Sequence, residues 1–226
     1  LGKINGKEYI VKTIVTTETI KTIAERNGVE MYDVYTGFKW IANVMRENEG
    51  KKNYIGGGEE SYGFLCEDFV RDKDAVSACV ILAEIAAWAK DQGLSLYQLL
   101  QKIYVEYGFS KEKGISVVKK GKSGAEEIEA MMKKFRENPL TEIAGSKVTY
   151  FYDYSTLKGK DYAENETVTL DMPTTSNVLQ YFTEDNTKVS IRPSGTEPKI
   201  KFYCEVHSKV KSIDELPEAE KAAEEK

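Results

Sequence analysis

The hydrophobic period changes partway along this chain, and that change limits the possible fold more than any other feature. Before residue 109, short β-rich runs alternate with runs of helical period. Tyr9–Val15 is β-rich and leads into Thr17 as a helix N-cap, and Ile20, Ile23 and Ala24 mark a helical face that ends at Gly28. Val29–Tyr35 reads as a second strand. Phe38, Ile41, Val44 and Met45 then recur at i, i+3, i+6 and i+7, one face of a helix that stops near Gly50. Asn53–Gly56 is a third strand that runs into a glycine-rich loop. Strands separated by helices of this length form βαβ units on a parallel sheet, where ligands sit beyond the carboxyl ends of the strands. Asp74 caps a further helix from Ala75 to about Lys90, apolar almost all round and therefore expected to be buried. Ser95 opens one more helix, and Gly108 closes it.

After Asn138-Pro139 the period is two. Val148, Tyr150, Tyr152 and Tyr154 are expected on one face of a strand, with Lys147, Thr149, Phe151 and Asp153 on the other. Ile200, Phe202, Cys204 and Val206 alternate in the same way with Lys199, Lys201, Tyr203 and Glu205. Between the two regimes, residues 109–123 are polar and are expected to form a linker. A capping box at Ser123-Gly124-Ala125-Glu126 opens a helix with Ile128, Met131, Met132 and Phe135 on its apolar face. A last helix is expected over Ile213–Lys226. The expected fold is α/β: a parallel βαβ sheet domain over residues 1–110, then a smaller α+β domain with a mainly antiparallel sheet over 111–226.

Composition narrows the function. Thirty-two basic and 37 acidic residues are interspersed, for a net charge of −5, so no basic stripe supports nucleic-acid binding. No run of 18 apolar residues and no signal-peptide pattern occur, which points away from a membrane and toward the cytoplasm. With His207 alone, a His-based triad or a zinc site is excluded. Cys66, Cys79 and Cys204 lack metal-ligand spacing, and Cys79 and Cys204, on apolar faces, are expected as buried thiols.

The densest chemistry lies at Ser190–Lys199. Arg192 and Lys199 bring positive charge, Ser194 and Thr196 bring hydroxyl donors, and Gly195 lets the backbone turn its N–H groups inward. Pro193 and Pro198 stiffen both ends, so less entropy is lost when an anion binds. This loop is built to hold a phosphoryl group. Gly58-Glu59-Glu60-Ser61-Tyr62-Gly63 follows a strand but lacks the dinucleotide spacing. Its carboxylates would repel phosphate and suit sugar hydroxyls; on the residues alone, an acidic surface loop serves equally well.

The run Arg192–Lys199 also resembles the phosphate-binding loop of the α-D-phosphohexomutases, the phosphoglucomutase and phosphomannomutase superfamily. Gly58–Gly63 resembles that family's sugar-binding loop, with shorter likenesses at Thr36-Gly37-Phe38-Lys39 and Arg71-Asp72-Lys73-Asp74. All four fall in the family's order, as in its third and fourth domains. The resemblance implies that Glu59 and Ser61 hold two ring hydroxyls and that Thr36 and Gly37 touch the ring. It implies that Lys73 assists proton transfer or charge stabilisation, while Arg192, Ser194, Gly195, Thr196 and Lys199 hold the phosphate. The family's phosphoserine loop and aspartate-rich magnesium loop do not occur here. The chain is therefore expected to be the C-terminal part of a longer enzyme, cut inside its third domain, so that its first sheet is incomplete at the N-terminus.

Taken alone it is expected to be inactive and to bind no metal, with Mg2+ belonging to the parent. The partners implied are a hexose phosphate, a hexose bisphosphate and the missing N-terminal domains. Glu-Glu-Ser-Tyr leans toward phosphoglucomutase-like members, with phosphomannomutase and phosphopentomutase open. A non-catalytic phosphosugar-binding or interaction protein on a mutase-like scaffold is the alternative.

Overall fold

A computed structural model describes residues 4–119, 121–195 and 197–226, the side chain of Lys122 excepted. The chain divides into two compact units, one of Leu1–Phe109 with Lys209–Leu216, the other of Ser110–Ser208 with Pro217–Lys226.

The first unit runs β1 (Glu8–Thr13), α1 (Thr19–Arg26), β2 (Glu30–Val34), α2 (Phe38–Asn48), β3 (Asn53–Gly58), β4 (Phe64–Leu65), α3 (Ala75–Asp91) and α4 (Leu96–Tyr107). Its strands lie in the order β2-β1-β3-β4, with β1 parallel to both β2 and β3. Alternation along β1 sends Tyr9 and Val11 into a core with Val34, Phe38, Ile41, Val44, Met45, Tyr54 and Leu65, so the expected face of α2 is the one that packs. The two-residue β4 pairs antiparallel with β3. Glycine is required at the turn-back: a Cβ on Gly57 would stand 2.0 Å from the Val11 carbonyl oxygen, and one on Gly58 2.3 Å from that of Gly63.

The second unit holds β5 (Phe109–Val118), α5 (Gly121–Glu137), β6 (Glu142–Ile143), β7 (Ser146–Asp153), β8 (Lys158–Asp161), β9 (Glu166–Thr169), β10 (Leu179–Thr183), β11 (Lys188–Pro193), β12 (Lys199–Ser208) and α6 (Leu216–Glu225), apart from Phe109 and Leu216, the first residues of β5 and α6, which group with the first unit. Its sheet has the order β5-β12-β11-β10-β7-β8-β9, with β6 folded onto β7. The pairings of β7, β10, β11 and β12 are antiparallel. Ile128 and Met132 of α5 are buried against Val148, Phe151, Leu179, Tyr181, Ile191 and Ile200. The fold is thus α/β in the first unit and an antiparallel sheet under a helix in the second.

Several expectations need correction. Residues 109–118 form β5 rather than a linker, and Ser123 sits inside α5 instead of capping it. Helix α3 is not buried: Val76 is 74% exposed, Leu82 55% and Trp88 51%, Cys79 is exposed too, and only Ala89 is covered. Composition reported an apolar surface but could not report a neighbour over it. In α1 the N-cap is Glu18, and Thr17 instead accepts the Thr19 N–H through its hydroxyl at 3.2 Å. In β7 the alternation changes phase. A bulge opposite Phe182 and Thr183 skips Thr149, so Val148 and Phe151 share the core while Tyr150 and Tyr152 are only half-buried. The Thr149 hydroxyl donates to the Phe182 carbonyl at 3.1 Å in that bulge.

Candidate functional site

At the carboxyl edge of the parallel sheet, three separate segments converge on Glu59. Gly37, at φ 114°, occupies a backbone conformation that favours glycine, and it turns the chain from β2 into α2. That turn aims the Gly37 N–H at Glu59, where it donates to Oε1 at 2.6 Å. The loop that carries Glu59 is closed by the Glu59 N–H, which donates to the Gly63 carbonyl at 2.7 Å. Lys73 comes from the third segment. Asp74 caps α3 by accepting the Val76 and Ser77 amides at 3.3 and 3.0 Å, and its own N–H donates to the Phe64 carbonyl at 3.1 Å. Those bonds fasten the start of α3 to β4 and bring the Lys73 Nζ to 3.7 Å from Glu59 Oε2. The same ammonium lies 5.7 Å from the Phe38 ring centroid, within cation–π range.

The two carboxyl oxygens of Glu59 are therefore unequal. One is occupied by an amide and the other faces a lysine that is more than half exposed, while the Glu59 side chain is nearly covered. A carboxylate fixed in this way can accept bonds from vicinal hydroxyls, and the lysine beside it can stabilise charge or carry a proton. Thr36 is half-buried in the turn before Gly37, and Ser61 stands exposed at the crown of its loop. The acid next to Glu59 points elsewhere: Glu60 Oε2 accepts from the Thr13 hydroxyl at 3.4 Å.

In the second unit, Arg192 is half-buried near the end of β11. A chain of buried hydrogen bonds holds this strand. The Tyr154 hydroxyl donates to Gln180 Oε1 at 2.6 Å, and Gln180 Nε2 donates to the Ser190 hydroxyl at 2.8 Å. Ser190 and Arg192 share a face of β11 because they are two residues apart. The hairpin to β12 is closed by the Ser194 N–H, which donates to the Lys199 carbonyl at 2.8 Å. Lys199 is not a free cation, since its ammonium pairs with Glu197 inside the loop and holds that carboxyl below its ordinary value. Gly195 is exposed with open space around it and is not among the left-handed residues. Thr196 lies outside the described residues.

One further cation, Lys201, stands beside Arg192 and was not singled out from the sequence. It is the cross-strand partner of Arg192, and its Nζ stands 5.9 Å from the Tyr203 ring centroid. Its place on β12, two residues after Lys199 on the same face, was the available signal.

Residues 2–107 match the family described as phosphoglucomutase/phosphomannomutase, alpha/beta/alpha domain III, and residues 116–223 match the C-terminal domain of the same family. The phosphoglucomutase of Staphylococcus haemolyticus is 36% identical over 204 residues, covering 90% of this chain and 37% of that protein. The phosphoglucomutase of Staphylococcus aureus strain MRSA252 is 40% identical over 194 residues, covering 86% and 35%. Among solved structures, the exocytosis-sensitive phosphoprotein pp63/parafusin of Paramecium, a phosphoglucomutase in its open form, aligns with a TM-score of 0.60. That alignment has 18% identity and covers 90% of this chain and 33% of the other, so it speaks for the fold alone. The chain spans little more than a third of the length of these relatives. With two domain families matched across nearly its whole length, the chain belongs to the phosphoglucomutase/phosphomannomutase family.

Proposed function

We propose that this chain is the C-terminal part of a phosphohexomutase that interconverts hexose 1-phosphate and hexose 6-phosphate. In that reaction a phosphoserine passes its phosphoryl group to a sugar hydroxyl, giving a bisphosphorylated intermediate. The intermediate turns round, and the other phosphate returns to the serine. The first unit supplies the grip on ring hydroxyls, through Glu59 with Ser61, Thr36 and Gly37 beside it, and Lys73 supplies charge stabilisation or proton transfer. The second unit supplies the grip on phosphate, through Arg192, Ser194, Gly195 and Thr196, with Lys201 as the second cation and Lys199 available once Glu197 lets go. Each charge-assisted bond to phosphate contributes roughly 1.5–3 kcal/mol.

The carboxylates described here do not fit a magnesium site. Among the described residues no group of three or more His, Cys, Asp or Glu side chains could hold a metal ion. The magnesium and the nucleophilic serine are assigned, within this proposal, to the rest of the parent enzyme. Among the described residues no helix is long and apolar enough to cross a membrane.

One observation carries the reading: Gly37, Glu59 and Lys73, from three separate segments, meet within hydrogen-bond or ion-pair distance at the carboxyl edge of the sheet. In the parent enzyme, Glu59→Gln should lower kcat/KM for hexose phosphates about tenfold or more while leaving competition by inorganic phosphate unchanged. An equal loss for both ligands would show that Glu59 only supports the fold.

A further inference from the structure

The Lys12 side chain is 0% exposed at the carboxyl end of β1, the central strand of its sheet. Removing an ammonium from water costs several kcal/mol unless it is well paired. Lys12 Nζ donates to Asp33 Oδ1 at 2.7 Å and to Glu18 Oε1 at 3.0 Å. Burial alone would pull the ammonium down, but Asp33 and Glu18 together more than offset it and hold the group above its ordinary value. Two carboxylate oxygens within 3.0 Å of the ammonium favour its charged form.

The partners come from different elements. Asp33 is the register neighbour of Lys12 on β2, and Glu18 is the N-cap of α1. On its other side Lys12 is the register neighbour of Gly58, from which the Glu59 loop departs. Asp33 precedes Gly37 by four residues and lies on β2, the strand that leads into the turn presenting the Gly37 N–H. The next residue, Thr13, points to the opposite face of the sheet, where it shares a 2.8 Å hydrogen bond with Thr16 and donates to Glu60 at 3.4 Å. The end of β1 is therefore fastened on both faces, under the two segments that build the hydroxyl site.

We infer that Lys12 is a positioning residue for the sugar-hydroxyl site: its buried ammonium locks the end of β2 and the start of α1 to the end of β1, and so sets where the Gly37 N–H meets Glu59. The inference rests on reading Glu59 as the hydroxyl ligand, yet it claims something separate. Replacing a whole buried ion group by neutral residues of similar volume is often neutral for stability, whereas removing one partner alone strands the charges left behind and destabilises the fold. A merely structural lysine would then leave the site unchanged in a folded variant, whereas a positioning lysine would not.

The test uses Lys12→Met in two settings. In this chain, amide exchange at Gly37 read by NMR should quicken about tenfold, the loss expected for one weakened hydrogen bond. In the parent enzyme, KM for a hexose phosphate should rise about tenfold with kcat changing less, and inhibition by inorganic phosphate should not move. Should Lys12→Met fail to fold, Lys12→Met/Glu18→Gln/Asp33→Asn removes all three charges together and takes the same readouts. An unchanged Gly37 exchange rate and KM in either folded variant would overturn the inference. If Glu59→Gln impairs the enzyme while Lys12→Met does not, Lys12 is not a positioning residue and the hydroxyl reading stands. If neither substitution has an effect, the hydroxyl reading falls and this inference falls with it.

Discussion

Gly37 and Glu59 illustrate what a single residue's neighbours add to its chemistry. A carboxylate in a loop is an unspecific acceptor; one oxygen pinned by a backbone N–H at 2.6 Å makes it a directional one. The sequence motif pointed to Glu59, Gly37 and Lys73 separately, and the geometry brings those three together. Thr36 and Ser61 fall nearby without a comparable bond to Glu59. Glu60 and Lys199 were not legible in the same way, because each is already engaged, Glu60 by the distant Thr13 and Lys199 by Glu197 in its own loop. A motif names residue types but does not show which side chain is already engaged. At this scale Arg192→Ala should weaken binding of inorganic phosphate by at least tenfold. Its thermal midpoint should stay close to that of the parent chain, because Arg192 lies outside the core of its unit. Isothermal titration and a melting curve on the same sample check both halves.

Among the elements, α2 and α5 were readable because their apolar stripes are narrow and each meets a sheet face. Helix α3 was not, since an apolar helix looks the same whether or not anything covers it. The faces of β7 were misread because a one-residue bulge reverses alternation without leaving a mark on the pattern. The contrast between helices gives a direct prediction. Leu82→Glu on exposed α3 should change the unfolding free energy of this chain by no more than about 0.5 kcal/mol. Met132→Ala, at a fully buried position of α5, should cost about 2–5 kcal/mol. Urea unfolding of the two variants measures the difference, and comparable losses would mean that α3 is packed after all.

Over the whole molecule, the chain's last helix is tied into the second unit by charge. Lys111 of β5 bridges Glu220 and Glu224 at 2.7 and 3.0 Å, and Lys226 pairs with Asp185 and donates to the Thr187 hydroxyl at 2.7 Å. Burial pushes the Asp185 carboxyl up, but bonds from Lys226, Thr183 and Thr187 more than offset it and hold the group well below its ordinary value. A folded-state value below the unfolded one gives stability that is fully present above the ordinary carboxylate range, begins to fade there and is lost as pH falls through the lower folded-state value. Stability should therefore drop more steeply in the wild-type chain than in Asp185→Asn as pH is lowered below about 4. Denaturant midpoints measured across that range would contradict the account if both proteins declined in parallel. These ties were hidden from sequence reading because their partners lie 39 to 113 residues apart, as in Lys226 with Thr187 and Lys111 with Glu224.

An NMR titration of this chain with inorganic phosphate tests most directly whether the Arg192 hairpin is the phosphate grip that a phosphohexomutase needs beside its hydroxyl site. Saturable amide shifts are expected at Arg192, Ser194, Gly195 and Lys201, lost in Arg192→Ala and retained in Glu59→Gln. Shifts that leave this hairpin untouched, or that survive Arg192→Ala unchanged, would contradict that role.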